Sequence, residues 1–207
     1  MLKLIRNNRL FDWLIANDYL CYNYSPFDTF GTKKYYNYLR IHFLGRTIWY
    51  INSNKLYHYL IPSSGISKTN LKIFIQLNHL PKERRDKPLF VYAHVMMPHA
   101  PYSFNEYGKP FNASDSLSNK QKYLGQLIFT NSLTLESINQ ILKFSPRKPI
   151  IIIQGDHGKG LKDSTLIERP LEANKIFYAI YTPDGIIVPD TINPKNTFKK
   201  LFEYINH

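Results

Sequence analysis

The sequence predicts an α/β fold, with a mainly parallel sheet flanked by helices, on the evidence of three neighbouring segments. Residues 150–153 are four consecutive isoleucines, and residues 89–95 form a second apolar run. Between them, residues 118–144 have the apolar spacing of one long helix. Runs with no polar face suit strands that are covered on both sides, as in the centre of a parallel sheet. Strand, helix and strand in this order predict a crossover between parallel strands.

The length and composition predict a single domain over residues 1–207. With 207 residues, 43% of them hydrophobic, the chain can bury one core but is short for two. The only cysteine, Cys21, excludes intrachain disulfides. It lies in an alternating, strand-like run, where a buried small side chain is the usual explanation. A catalytic thiol needs an electropositive, partly exposed setting that this run does not supply.

The amino-terminal half is predicted to contain a helix, a strand and a second helix. Asn7 or Asn8 can cap the first helix. Its inward positions are Leu10, Phe11, Leu14 and Ile15. A strand follows over residues 20–24, and we interpret the aromatic-rich residues 27–60 as short helices and loops. Residues 67–80 predict the second helix. Its inward positions are Leu71, Phe74, Ile75 and Leu77.

The carboxyl-terminal half is predicted to contain the long helix 118–144, two strands and a last helix. The buried face of the long helix is predicted to consist of Leu124, Leu127, Ile128, Leu135, Ile138 and Leu142. Beyond the isoleucines, residues 175–181 predict another strand. Asn193 is the predicted cap of the last helix. The inward positions of that helix are Phe198, Leu201, Phe202 and Ile205.

The charge favours an anionic partner for this chain. Lysine and arginine outnumber aspartate and glutamate by 27 to 15, which gives a formal net charge of +12. Such a charge favours phosphate or sulfate esters, nucleic acid or acidic lipid headgroups. The basic residues form short separate clusters, and no zinc-finger, helix-turn-helix or RNA-binding signature accompanies them. We therefore predict no nucleic-acid partner, and a solvated basic surface is the simpler explanation of the charge.

The residues alone leave the localisation unknown. No apolar stretch approaches the roughly 20 residues that are needed to span a bilayer, so no transmembrane segment is predicted. Basic and polar residues interrupt residues 1–12 before the apolar region of a secretory signal can form.

The triplet Asp156, His157 and Gly158 directly follows the isoleucine run. In open α/β sheets the ligand crevice lies beyond the carboxyl ends of the strands. A carboxylate oxygen beside an imidazole nitrogen there makes half of a site for a divalent metal, and Gly158 permits a sharp turn behind them. The alternative is turn chemistry, because Asp-Gly and His-Gly pairs are common in turns and an aspartate often caps the next helix.

Two more histidines accompany the other apolar run. His94 lies within it, and His99 lies in a proline-held loop over residues 96–102. Taken singly, His94 fits a core histidine and His99 fits a surface loop residue. Because adjacent parallel strands point their carboxyl ends the same way, both can converge with Asp156 and His157. Clustered histidine and aspartate at strand ends are typical of anion or metal sites, so we predict that the four residues share one.

Three segments of the chain carry a family resemblance. They are residues 90–102 (FVYAHVMMPHAPY), residues 123–131 with Tyr123, Leu124, Thr130 and Asn131, and residues 149–158 (PIIIIQGDHG). These segments resemble the later catalytic segments of sulfatase-like hydrolases in the alkaline phosphatase superfamily. Residues 7–28 and 196–198 resemble other elements of the same domain. Within the superfamily, the chain is most similar to membrane-anchored bacterial proteins akin to phosphoethanolamine transferases and lipoteichoic acid synthases.

The resemblance implies an alkaline-phosphatase-like fold and chemistry on sulfate or phosphate esters, including those of a lipid headgroup or glycan. Asp156 and His157 match the metal-binding pair of the family, and the metal is zinc, manganese, magnesium or calcium. His99 matches the histidine that contacts the transferred group, and His94 is implied to lie beneath that group. A catalytic domain outside the inner membrane is implied as well.

The resemblance also implies that part of the family's site is missing. The family's first strand with its acidic metal ligand, and the segment with its Thr, Ser or formylglycine nucleophile, come before the helix that here begins near Asn8. We therefore expect a sheet that lacks its first strand and a chain that is incomplete as an enzyme, its amino-terminal portion being absent. The alternative is a non-catalytic remnant that binds an anionic headgroup or glycan, so whether the chain is an enzyme stays open.

Overall fold

The computed structural model describes residues 9–25, 64–112, 115–158, 176–183, 196–199 and 201. The chain divides into two compact units, Met1–Phe144 and Ser145–His207, and each is described by itself. One domain over residues 1–207 therefore stays a prediction. Some sequence expectations lie outside the described residues: those for 27–60, Asn7, Asn8, Asn193, Phe202 and Ile205.

The described part of the first unit contains three α-helices and two strands. They are α1 (Arg9–Ala16), β1 (Leu20–Tyr24), α2 (Ser64–His79), β2 (Leu89–Ala93) and α3 (Asn119–Phe144), with a 3-10 turn at Leu80–Lys82 after α2. Each corresponds to a helix or strand that the sequence predicts, with ends that differ by up to three residues. The mixed α/β class is confirmed for this part of the chain.

The two strands of this unit form a parallel pair. The register runs from Leu20 opposite Leu89 to Tyr24 opposite Ala93. Because α2 lies between the strands in sequence, the pair is a strand–helix–strand crossover. The sequence predicts parallel pairing, but it does not identify β1 and β2 as partners. One further backbone bond, from the N–H of His94 to the carbonyl of Tyr24 at 2.9 Å, continues the ladder beyond β2.

Helices cover both faces of the pair. The face toward α2 packs Tyr22, Tyr24 and Val91 with Ile73 and Leu80. The face toward α1 packs Cys21 and Phe90 with Phe11 and Leu14. The rings of Phe11 and Phe90 meet edge to face, with centroids 5.4 Å apart. Four of the five residues of β1 are buried, as expected for a strand that is covered on both sides.

The predicted inward face of α2 is partly wrong. Phe74 is buried as predicted, but Ile75 is 52% exposed, and Ile73 is fully buried instead. Two adjacent positions are buried because α2 contacts two different cores. Ile73 packs on the sheet, and Phe74 packs on Met97 and Phe104 in the loop after β2. A single helical stripe cannot predict a helix that is covered from two sides.

The predicted buried face of α3 is also wrong. Leu124, Ile128, Leu135 and Leu142 are between 40% and 61% exposed. The buried positions of α3 are instead small or polar, namely Gly125, Gln126, Thr130 and Ser137. This side of α3 meets polar partners, such as the amide oxygen of Asn78 on α2, to which the Ser137 hydroxyl donates at 2.6 Å. None of the described helices has the length and apolar character to cross a membrane.

The described part of the second unit contains β3 (Ile151–Gln154) and β4 (Tyr178–Tyr181), which pair antiparallel. This pair therefore departs from the mainly parallel sheet that the sequence predicts. Residues 196–199 and 201 are helical, as predicted. Leu201 is buried, but Phe198 is 38% exposed, so its predicted inward position is wrong. Thr197 is buried instead, and its hydroxyl lies 2.8 Å from the hydroxyl of Tyr178 on β4.

Candidate functional site

His99 is an exposed residue in the loop that follows β2. Its N–H donates to the carbonyl of Met96 at 2.8 Å, which closes a tight turn. The ring Nδ1 lies 2.5 Å from the carbonyl oxygen of Ala100. Because a carbonyl can only accept, we assign the ring proton to Nδ1. Nε2 is then the nitrogen that is left to meet a ligand.

Side chains from α2 hold both ends of this loop. At its start, the N–H of Met96 donates to Oδ1 of Asn70 at 2.8 Å. At its end, the hydroxyls of Ser67 and Ser103 form a short hydrogen bond. Asn70 and Ser67 are 3% and 6% exposed, so both bonds are partly shielded from water. The loop is thus fixed to a helix that itself packs on the sheet.

Gln126 on α3 contacts the same loop from the other side. Its Oε1 accepts from the N–H of Ser103 at 2.7 Å and from the N–H of Phe104 at 3.4 Å. Its Nε2 donates to the carbonyl of His99 at 3.2 Å. Gln126 is one of the largest side chains that is fully buried in the described residues. The loop therefore has a fixed backbone and an exposed imidazole.

His94 directly follows β2 and is half-buried. Its Nδ1 lies 3.3 Å from the hydroxyl of Tyr92, whose ring packs in the core toward α1. Since side chains alternate along a strand, His94 continues the face of Tyr92. Asn23 lies opposite Tyr92 on β1, and both Asn23 and Ser25 are buried. Polar side chains therefore collect at the carboxyl end of this face.

Asp156 and His157 lie in the turn that follows β3. Nε2 of His157 is 3.6 Å from Oδ2 of Asp156. Nδ1 of His157 lies 3.0 Å from the carbonyl oxygen of Gly158, so we assign the ring proton to Nδ1. The N–H of His157 donates to Oδ1 of Asp156 at 2.9 Å. The side chains of His157 and Asp156 are 66% and 76% exposed.

The geometry of this pair fits two ligands of one divalent cation. Imidazole nitrogen and carboxylate oxygen bind zinc at about 2.0–2.2 Å, so two tetrahedral ligands lie about 3.3–3.6 Å apart. The distance between Oδ2 of Asp156 and Nε2 of His157 is of that size. Among the described residues, no three or more His, Cys, Asp or Glu side chains form a group that could hold a metal. The described pair thus fits half of a coordination shell.

The model of the sulfatase family matches residues 10–198 of this chain. The chain belongs to the sulfatase family. No curated protein and no solved structure gives a significant match. Sulfatase membership indicates hydrolysis of sulfate esters as the class of activity, and sulfatases generally use a divalent metal. The resemblance inferred from the sequence is confirmed at the level of the superfamily.

The structure of this sulfatase-family chain brings together part of the predicted site. Asp156 and His157 contact each other in the second unit. His94 and His99 belong to the first unit, where both follow the same strand. Convergence of all four residues stays a prediction.

Sequence reasoning missed the polar side chains that hold this segment of the sulfatase fold. Asn70 and Gln126 are buried and bind backbone groups of the His99 loop. The available signal is a polar residue inside an apolar helical pattern, as at Gln126. The sequence alone cannot distinguish such a buried residue from an exposed polar residue, because both give the same pattern.

Two raised pKa values describe the surroundings of the loop and of β1. Burial raises the pKa of the Cys21 thiol to about 11. A protonated thiol inside the core is unsuited to nucleophilic attack, which agrees with the structural role that the sequence predicts. Burial, and to a smaller extent the neighbouring Tyr102, raises the pKa of Tyr123. Their rings are 6.0 Å apart, so α3 and the His99 loop also meet through aromatic contact.

Proposed function

We propose that the chain acts on sulfate or phosphate esters as a metal-dependent hydrolase or phospho-group transferase. In this proposal Asp156 and His157 are metal ligands, His99 contacts the transferred group and His94 lies beneath that group. The transferred group is anionic, and the formal net charge of +12 favours anionic substrates such as lipid headgroups or glycans. The match to the sulfatase family supports the ester class.

The observation that carries the proposal is the geometry of Asp156 and His157. Their ligand atoms lie 3.6 Å apart, and the contact between Nδ1 and Gly158 leaves Nε2 of His157 directed for binding. A fixed tautomer of this kind is typical of histidines that bind metals. A divalent cation at such a pair supplies Lewis acidity, which polarises the ester oxygen and lowers the pKa of a bound nucleophile.

His99 contributes a hydrogen-bonding group in this proposal. With Nδ1 occupied by the carbonyl of Ala100, only Nε2 can meet the ester. In the imidazolium form, Nε2–H donates to an oxygen of the transferred group and stabilises the negative charge that develops there. In the neutral form, Nε2 accepts a proton from an attacking hydroxyl instead. The pH dependence of turnover distinguishes these two uses of the same atom.

Turnover of generic esters tests the proposal. The purified chain is assayed with manganese or zinc on p-nitrophenyl sulfate and on bis(p-nitrophenyl) phosphate, beside Asp156→Asn, His99→Gln and His79→Gln. His79 is an exposed histidine on α2, so its variant controls for loss of a surface imidazole. Metal-dependent release of p-nitrophenol would overturn the expectation that the chain is incomplete as an enzyme, and Asp156→Asn and His99→Gln should each reduce that release by at least about 100-fold. Turnover that survives in Asp156→Asn contradicts the assignment.

A second outcome identifies the non-catalytic alternative. If a metal raises the melting temperature of the wild type but not of His157→Ala, and no ester is hydrolysed, the pair binds metal in a module without turnover. That module is a candidate for holding an anionic headgroup or glycan. Binding to vesicles that contain anionic lipid, measured by co-sedimentation, then separates a headgroup ligand from a free anion.

A further inference from the structure

The environment of Gln126 is unusual for a glutamine on a helix. Only 1% of its surface is exposed, and it lies on the side of α3 that faces the loop after β2. Burial of an amide is unfavourable unless its donor and acceptor are both satisfied. Both are satisfied here, and every partner is a backbone group of that loop, at His99, Ser103 and Phe104.

The chemistry of these three contacts requires an amide side chain. Two of them need an acceptor, for the N–H groups of Ser103 and Phe104, and one needs a donor, for the carbonyl of His99. Among side chains of this length, glutamine alone offers both at fixed positions on one planar group. Glutamate keeps the acceptor but would oppose the His99 carbonyl with a second oxygen. Methionine fills the volume and offers neither group.

The helix backbone at the neighbouring residue allows this close approach. A Cβ atom at Gly125 would lie 3.3 Å from the backbone nitrogen of Glu106 and 3.4 Å from Cα of Asn105. The loop therefore lies almost against the backbone of α3. At this separation the Gln126 side chain reaches across the loop to the carbonyl of His99.

We infer that Gln126 is a positioning residue, which fixes the backbone of His99 so that Nε2 keeps one direction toward the ester. The inference rests on the proposed function, because it gives His99 the role proposed above. The amide bridges the residue that carries the imidazole and the two residues at which the loop returns to α3. Without this bridge, the backbone groups of His99 and Ser103 lose their described hydrogen bonds to α3. The direction of the ring is then restricted less, because only the bonds from α2 and the contact of Nδ1 with Ala100 remain.

Hydrogen exchange tests the positioning without any need for activity. The full chain is compared as wild type, Gln126→Met, Gln126→Glu and Gln140→Ala, with exchange followed by mass spectrometry. Gln140 lies on the same helix, and its amide donates to the carboxylate of Glu136 on the helix surface, so its variant is the matched control. We expect Gln126→Met to speed exchange at residues 99–104 by about tenfold, which corresponds to losing one to two net hydrogen bonds. Exchange in β1 and β2 should stay unchanged.

Gln126→Glu separates the acceptor from the donor. It should leave protection at Ser103 and Phe104 close to the wild type while the segment at His99 exchanges faster. Gln140→Ala should leave the whole loop unchanged. If Gln126→Met speeds exchange throughout the first unit to the same extent, Gln126 acts in global stability and the inference is overturned. Unchanged exchange at residues 99–104 overturns it as well.

A double-mutant comparison links the loop to turnover. Where the wild type hydrolyses an ester, Gln126→Met should lower kcat by about tenfold with little change in KM, and the same substitution should have no further effect in a His99→Gln background. Additive losses in kcat contradict action through His99. If the wild type hydrolyses no ester, the proposed function fails, and the exchange data still decide whether Gln126 holds the loop.

Discussion

The loop that presents His99 and the turn that presents Asp156 and His157 both follow a strand, but the protein holds them in different ways. Buried side chains from α2 and α3 bind the backbone of the loop at several points. Among the described residues, the side chains of Asp156 and His157 contact only each other and the adjacent backbone, and both side chains are mostly exposed. The proposed function accounts for this difference, because a group that must aim a proton needs a fixed backbone, whereas a bound cation would bring its ligands into their final positions.

The largest expected effect is on metal binding at the turn. His157→Ala removes one of the two proposed metal ligands. Because loss of an outer partner alone typically costs 10–100-fold in metal affinity, we expect a decrease of at least about 100-fold. Isothermal titration with MnCl₂ or ZnCl₂ measures it. His79→Ala is the control for adventitious binding to a surface histidine. Equal affinity in wild type and His157→Ala would show that the turn carries no metal ligand.

The second prediction concerns Cys21 on β1, which is buried in the core toward α1. Its folded pKa of about 11 exceeds the ordinary value, so the folded state retains a proton that the unfolded state releases. The stability contribution is complete below the ordinary pKa and is lost as pH rises through about 11. We expect the difference in unfolding free energy between wild type and Cys21→Ala to fall by about 2 kcal/mol over this range.

Denaturant titrations of both proteins at several pH values measure this difference. Lysines and tyrosines also titrate in this range, but their contributions to the unfolding free energy are the same in both proteins and cancel in the difference. A difference that stays constant with pH contradicts the burial of the thiol. Slow alkylation by iodoacetamide at pH 8, relative to the unfolded chain, is the accompanying chemical check.

A smaller effect on stability is expected when the start of the loop loses its hydrogen bond to Asn70 on α2. Asn70→Ala leaves the partly buried N–H of Met96 without its acceptor, and it should lower the unfolding free energy by about 1–2 kcal/mol. Asn78→Ala is the matched control, because Asn78 also lies on α2 but binds Ser137 on α3. Hydrogen exchange at residues 96–104 should rise only in Asn70→Ala. The same rise in both variants would mean that α2 supports the loop only through general stability.

The smallest effect is expected at Gly125. Gly125→Ala gains up to about 1 kcal/mol in helix propensity but brings a Cβ to within 3.3 Å of the Glu106 nitrogen, so the net change should stay below about 1 kcal/mol. Gly108→Ala should destabilise more, because Gly108 has a φ of +75° and its Cβ would meet the Phe129 ring at 2.6 Å. Thermal unfolding of both variants ranks them. A larger loss in Gly125→Ala than in Gly108→Ala contradicts the packing described here.

The elements of the fold were easier to predict than their packing. β1 was predicted with its exact ends, because turn and polar residues flank a short alternating run. The prediction of the buried face of α3 is wrong, because periodicity identifies an apolar stripe but not the part of the protein that covers it. The antiparallel pairing of β3 and β4 was missed because the composition of a strand does not specify the direction of its partner.

For the candidate site as well, the sequence predicts local features but not long-range contacts. Local sequence order sufficed for Asp156 and His157, because adjacent residues in one turn stay adjacent in the fold. The role of Gln126 depends on residues that lie more than twenty positions away in sequence, so no local pattern contains it. Long-range hydrogen bonds to backbone groups leave no trace in the identity of the partner residues.

Hydrogen bonds to backbone groups make the loop suitable for redesign. Asn70 and Gln126 recognise main-chain atoms of Met96, His99, Ser103 and Phe104, so their bonds do not depend on the side chains at these positions. The exposed side chain of Ala100 can therefore be varied while the loop keeps its path. Substitutions at Ala100 would change the chemical group beside the His99 imidazole, which makes this position a natural place to alter substrate preference if the proposed function holds.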